Sequence, residues 1–160
     1  MAGYIKFEGV DGEAKDKDHS KWSDIISFSQ GVSQPGGGAT GPTRRRGDAI
    51  LDDVVCVKEL DKASPKLAES VCKGKIYPKV EIHLTASTTA AGRVTYYAYE
   101  LKNVMVTSYN ISGSGQSEDV PTEEFSLNFE EIKVTYTECD SKGSSKGNVE
   151  YTWKVEEGES

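Results

Sequence analysis

The side chains of this chain that could do chemistry are few and poorly spaced for it. Three adjacent carboxylate pairs, Asp52–Asp53, Glu123–Glu124 and Glu130–Glu131, have the residue types of acid/base catalysis. Neighbouring side chains in a strand point to opposite faces, so Asp52–Asp53 and Glu130–Glu131 do not share one site. All three pairs read as solvated surface charges. The two histidines are far apart in sequence. His19 falls in a charged loop and His83 on the polar face of a strand, and both read as surface residues. No GxSxG elbow accompanies them, and a histidine-based metal site would need more ligands. Cys56, Cys72 and Cys139 are odd in number and widely spaced. That pattern fits neither a disulfide framework nor a CxxC site, and leaves small hydrophobic or incidental thiols.

Gly113–Asp119 (GSGQSED) lacks the GxxxxGK[ST] pattern of a phosphate-cradling loop, and no helix follows it. The short matches NIS (Asn110–Ser112) and RGD (Arg46–Asp48) carry no weight. No catalytic residue, cofactor or metal is therefore assigned, and the chain reads as a non-enzyme. The net charge of −7 argues against nucleic acid as a partner. No run approaches the ~18–20 apolar residues of a membrane helix. The N-terminal residues lack the basic start and apolar stretch of a secretory signal, so cytoplasmic synthesis is expected. One basic cluster stands out on the acidic chain, Arg44–Arg46. It reads either as a solvated loop tip or as a plug for an acidic surface, most simply another copy of this chain.

The elements that would position these groups are mostly strands. The 160 residues suit one domain, 1–160. Tyr4–Glu8 alternates as an opening strand, and Asp11–Lys21 reads as a solvated loop. Trp22–Ser29 is the next strand, with Ser23, Ile25, Ser27 and Ser29 on one face turned toward water. Residues 34–48 form a glycine-rich loop too long for a routine connection. Ala49–Leu60 is a third strand. Ser64 as N-cap, Pro65 in the first turn and Gly74 as a stop frame one short helix, with Leu67, Ala68, Val71 and Cys72 as its apolar stripe. Strands follow around Val80–Ala86, Arg93–Leu101, Asn103–Ile111, Phe125–Thr137 and Val149–Val155, and residues 156–160 form a frayed acidic tail. In Phe125–Thr137 the apolar positions switch from odd (Phe125, Leu127, Phe129) to even (Ile132, Val134, Tyr136) numbers. A β-bulge, or a strand bending between two sheets, produces such a phase change. The fold class is mainly β, an antiparallel barrel or two-sheet sandwich of about eight strands with one short helix.

Several segments together resemble a known family. Residues 4–35 (YIKFEGVDGEAKDKDHSKWSDIISFSQGVSQP) resemble the N-terminal pattern of Hcp (haemolysin co-regulated) proteins, inner-tube subunits of type VI secretion systems. KELDKASPKLAESVC (Lys58–Cys72) is similar to their segment before a single helix. GKIYPKVEIHL (Gly74–Leu84), YELKNVMVTSYNISGSG (Tyr99–Gly115) and SLNFEEIKVTYTE (Ser126–Glu138) are similar to the strands that follow. The resemblance spans Tyr4 to Val155. It implies a homo-hexameric ring that stacks on further rings of itself, with sheath, spike and effector proteins as partners and export by the type VI route. It places Ser23, Ser27 and Ser29 on the lumen, where they would contact effectors the ring carries and chaperones. It also makes 34–48, with Gly36, Gly37, Gly38, Arg44, Arg45 and Arg46, the loop that reaches the next ring, although PTRRRGD departs from the family pattern. A C-terminal toxin domain, found in some members, is not expected. The rival reading is a monomeric β-sandwich that binds carbohydrate or peptide through Tyr96, Tyr97 and Tyr99.

Overall fold

The computed structural model describes residues 2–34, 49–88, 92–140, 142 and 145–155. In chain order these form β1 (Ala2–Phe7), β2 (Ser23–Ile25), β3 (Ser27–Ser29), β4 (Val32–Ser33), β5 (Ile50–Leu51) and β6 (Val54–Glu59). Then come α1 (Ser64–Lys73), β7 (Ile76–Thr88), β8 (Gly92–Ser112), β9 (Thr122–Asn128), β10 (Glu131–Cys139) and β11 (Ser145–Lys154). The mainly β class with one helix is the one expected.

Hydrogen-bonded neighbours run β2-β1-β7-β8-β9-β6-β3, and β4 pairs only with β5. The two ends of the long path, β2 and β3, are one stretch of chain separated by Ile26. The Ile26 N–H donates to the Val57 carbonyl at 2.7 Å. The path therefore closes on itself as a barrel, which leaves neither β2 nor β3 as a free edge. The single strand expected at Trp22–Ser29 is in fact two, because its halves serve opposite neighbours: Ser23–Ile25 pairs β1 and Ser27–Ser29 pairs β6. Ala49–Leu60 is likewise divided, into β5 and β6 with Asp52 and Asp53 between them.

One strand organises the rest. β8 is 21 residues long and lies against β7 along Gly92–Met105. On its other side Tyr97–Lys102 pairs β10, whereas Met105–Ser112 pairs β9. The change of partner falls at Asn103, which takes a left-handed φ of 52° that non-glycine residues seldom adopt. The Asn103 side chain donates to Glu130 Oε2 at 2.8 Å, and the Glu130 N–H donates to the Lys102 carbonyl. The β7 residue across from Asn103 is Pro78, flanked by the pairs Tyr77↔Val104 and Lys79↔Lys102, and proline has no N–H to give to a ladder. The odd-to-even shift in the sequence thus marks the chain leaving one half of β8 for the other, between β9 and β10.

The core gathers Ile5, Phe7, Val54, Leu67, Tyr77, Val80, Ile82, Leu101, Phe125, Leu127 and Ile132, each at most 2% exposed. Cys56 lies there too, and burial pushes its thiol up to about 12. Gly74 ends α1 in the left-handed conformation expected of a stop. The start of the helix differs from expectation. The N-cap is Ala63, which makes no side-chain cap, and Ser64 opens the helix buried. The buried helical positions are Ser64, Leu67 and Ser70, spaced at i+3, while Cys72 is exposed. Serines replace apolar residues there because each has a buried polar partner. Ser70 Oγ meets the Tyr77 hydroxyl at 2.5 Å.

Ser64 belongs to a larger buried network. Lys58, fully buried on β6, is ion-paired with fully buried Glu123 on β9. Lys58 Nζ also donates to Asp61 Oδ1 at 2.8 Å. Ser64 Oγ donates to Glu123 Oε1 at 3.0 Å, and the Tyr109 hydroxyl donates to Glu123 Oε2. Glu123 is therefore no surface charge, contrary to the expectation for its pair. Removing one partner of such a pair leaves an uncompensated buried charge. Lys58→Met or Glu123→Leu alone should cost about 3–5 kcal/mol in denaturant unfolding, and the double variant should recover most of the loss. A single variant as stable as the parent would contradict the structural role of the pair.

Candidate assembly surface

β8, β10 and β11 form a three-stranded wing on the barrel, and its two faces differ. In-register rows on one face read Leu101–Ile132–Trp153, Tyr99–Val134–Tyr151 and Tyr97–Tyr136–Val149. The first row belongs largely to the core, since Leu101 and Ile132 are fully buried. Further along, the rows run out past the core. Tyr136 is 47% exposed, Tyr151 45% and Val149 74%. Burial raises the pKa of the Tyr151 hydroxyl, with Tyr97 adding to the effect, so this underside is already partly dry. The opposite face is charged and ordered by cross-strand ion pairs, Lys102–Glu131 at 3.2 Å and Lys133–Glu150 at 3.5 Å. One face is thus dressed for water, and the other is apolar and outruns the cover of the core at Tyr136, Tyr151 and Val149.

The wing ends in an edge. β11 pairs β10, and among the described residues no strand lies on its far side. A row of backbone N–H and C=O groups beside exposed apolar side chains is a template for another chain. Burying a Val- or Tyr-sized side chain is worth about 1.5–3 kcal/mol, so a partner covering Tyr136, Val149 and Tyr151 gains substantially. Next to this edge, a pocket of about 470 Å³ is lined by Tyr151 and Trp153 from β11 and by Val32, Ser33, Gln34, Ala49 and Leu51. The β4–β5 ladder on its rim pairs Val32 with Leu51 and Ser33 with Ile50.

The serine face predicted from sequence is only partly formed. Ser27 and Ser29 are exposed, with Phe28 between them packed on the core. Ser23 is 3% exposed and does not share their face. The preceding loop folds back over it: the Gly12 N–H donates to the Lys21 carbonyl, and a Cβ at Gly12 would collide with Ser23 Oγ. Near Ser27 and Ser29, the outer face of the barrel is rich in hydroxyls. Val57 and Val55, their partners on β6, lead to Glu124 and Ser126 on β9. Ser126 Oγ meets Ser108 Oγ at 2.5 Å and Thr107 Oγ1 at 2.7 Å. Asp53 accepts from Thr107 and Asn128. The loop residues Gly36, Gly37, Gly38, Arg44, Arg45 and Arg46 lie outside the described residues, as does the tail 156–160.

Other sequence expectations sort cleanly. Tyr96, Tyr97 and Tyr99 make no common exposed platform: Tyr99 is buried, and Tyr97 packs against it at 5.3 Å between ring centroids. His19 and His83 are not isolated surface histidines but lie in direct contact, His19 Nε2 to His83 Nδ1 at 3.1 Å. Sequence offered no signal for that pairing, which joins residues 64 positions apart. Among the described residues no group of His, Cys, Asp and Glu could hold a metal ion, and no helix is long and apolar enough to cross a membrane.

Residues 4–136 match the family model of the type VI secretion system effector, Hcp. The chain is 33% identical over 153 residues to Protein hcp1 of Pseudomonas aeruginosa, covering 95% of this chain and 93% of that protein. It is similar in structure to a solved type six secretion system protein, with a TM-score of 0.90, 28% identity and coverage of 99% and 98% of the two chains. Hcp1 from Salmonella typhimurium shares the fold at a TM-score of 0.76 and 20% identity, over 99% of this chain and 97% of that one.

If the outer rows of the wing await a partner, they contribute little to the isolated fold. Tyr136→Asp combined with Val149→Asp should then change unfolding free energy by less than about 1 kcal/mol at submicromolar concentration. Ile132→Ala, in the same sheet but in the core, should cost about 2–5 kcal/mol. Equal losses in the two experiments would show that the outer rows are ordinary core.

Proposed function

Because the chain belongs to the Hcp family of type VI secretion systems, we propose that it is the subunit of a closed hexameric ring, and that rings stack into the system's inner tube. The observation that carries the ring is the half-dressed wing: a bare β11 edge next to Tyr136, Val149 and Tyr151. A head-to-tail contact that joins this edge to a different surface of the next copy repeats around an axis and gives a ring when its rotation closes. In a closed ring every copy has its edge covered, and no apolar row stays wet.

The hydroxyl-bearing barrel face around Ser27, Ser29, Ser108 and Ser126 is assigned to the lumen in this reading. Small hydroxyl side chains, with Thr107, Ser108 and Ser126 hydrogen-bonded to one another, present a wet wall that holds cargo weakly and lets it slide. Effector proteins are the proposed cargo, with sheath and spike as the surrounding machinery. The function is mechanical and carrying rather than catalytic, and export follows the type VI route. Stacking is assigned to the loop around Gly36–Gly38 and Arg44–Arg46, where three cations meet the acidic surface expected of a chain with net charge −7.

Size exclusion with light scattering tests the ring. The parent should run as one discrete oligomer at micromolar concentration, and Tyr151→Asp with Val149→Asp should run as a folded monomer. A monomeric parent overturns the proposal. For stacking, Arg44→Glu, Arg45→Glu and Arg46→Glu together should leave single rings intact in negative-stain images and remove tubes. Tubes as long as those of the parent would remove the loop's charge from the contact.

A further inference from the structure

The chain's two histidines meet outside the barrel core, where the loop after β1 folds over the β1–β7 face. Tyr4 and His83 are register partners there. His19 stacks on Tyr4 with ring centroids 4.5 Å apart and planes 13° apart. Trp22 presents an edge to His19 at 4.8 Å and lies against His83 at 4.5 Å. His19 is 4% exposed. These four rings hold the end of the loop on the sheet; Lys6 ties its beginning by pairing with Asp11 and donating to the Val10 carbonyl, and also donates to the Lys21 carbonyl at 3.3 Å.

The proton inventory of this cluster is constrained by its geometry. His19 Nδ1 lies 2.6 Å from Asp16 Oδ2, and an ionised carboxylate only accepts. The Nδ1 of His19 therefore carries hydrogen, leaving Nε2 as the acceptor in the neutral ring. His83 Nδ1 then donates to it across 3.1 Å. One added proton is tolerated. It can sit on His83 Nε2, which faces Glu81 Oε2 at 3.9 Å, and the bond between the rings survives. Two added protons are not tolerated, because both facing nitrogens then carry hydrogen and two positive rings meet.

From this arrangement we infer that the His19–His83 contact is an acid-sensitive latch, which pins residues 16–22 to the barrel when at most one ring is charged and releases them when both are. The surrounding charges agree. Burial first, and then His19, lower the pKa of His83; Glu81 opposes this and Lys79 reinforces it. The hydrogen bond from His19 holds the Asp16 carboxyl below the usual range, and Arg93 from β8 acts in the same direction. Asp24 on β2 and Arg93 both act on Tyr4. For a histidine whose folded pKa is depressed, the contact's stabilisation is complete above the free value of about 6.5 and is lost as pH falls through it. Asp16, depressed as a carboxylate, stays charged through that window. The consequence reaches the barrel seam, since Trp22 directly precedes β2 and the Ala14 N–H donates to the Trp22 carbonyl at 2.7 Å.

Hydrogen exchange of the assembled full chain at pH 7.5 and about 5, corrected for intrinsic rates, tests the latch. Protection across residues 12–22 should fall about tenfold or more at the lower pH, with β8 unchanged. His83→Gln, uncharged at both values, should abolish the difference. Protection of 12–22 that is independent of pH in the parent, or equally dependent on it in His83→Gln, overturns the proposal. If His83→Gln already frees the loop at neutral pH, nitrogen NMR of the parent's imidazoles decides. Protection lost together with double protonation supports the latch, and protection lost while His83 is still neutral refutes it.

Discussion

A strand can be bonded to only two neighbours at any point, yet β8 has three. It meets that limit by dividing its length, giving Tyr97–Lys102 to β10 and Met105–Ser112 to β9 while β7 occupies the other side. The left-handed backbone at Asn103, fixed by its bond to Glu130, is where the division happens. Everything else is arranged around this joint. Upstream of it lies the wing that carries the bare edge, and downstream lies the closed barrel.

The buried pair Lys58–Glu123 does a complementary task on the barrel side. Hydrophobic packing alone would tolerate several placements of α1 against β6 and β9. A lysine that must find Glu123 and Asp61, and a glutamate that must also receive Ser64 and Tyr109, tolerate far fewer. The polar members of the network are spread over β6, the helix entry, β8 and β9, so it sets the relative positions of four segments at once.

How much of this was legible in the sequence follows from the range of each interaction. Alternation and turn residues act over two to five positions, and they located the strand-forming stretches but not where these divide, together with Gly74 and the phase shift between Phe129 and Ile132. Family-like segments in order located the fold. What sequence missed was tertiary. Ser23 reads as half of a polar face until Gly12 is found lying on it. Glu123 and Glu124 look alike as letters, but only Glu123 points at Lys58. His19 and His83 become a pair only once β1 and β7 are in register. Val149, Tyr151 and Trp153 alternate as a core strand should, yet most of that face ends outside the core because the wing overhangs it. The pattern reported apolar character correctly and could not say whether this chain itself covers it.

The overhang has a consequence for how the protein breathes. Among the described residues β11 is bonded on one side only and rests its outer rows on little of its own chain, so it opens more readily than a strand bonded on both sides. In the proposed ring, a neighbour docked there would supply a ladder and a cover together, so docking and ordering would be one thermodynamic event. The affinity then includes the cost of quieting β11, which weakens the first encounter. Once some neighbours have stiffened a subunit, the next contact is made against a surface already set. Assembly of the proposed ring through such an edge would therefore be graded at its start and steep at its finish.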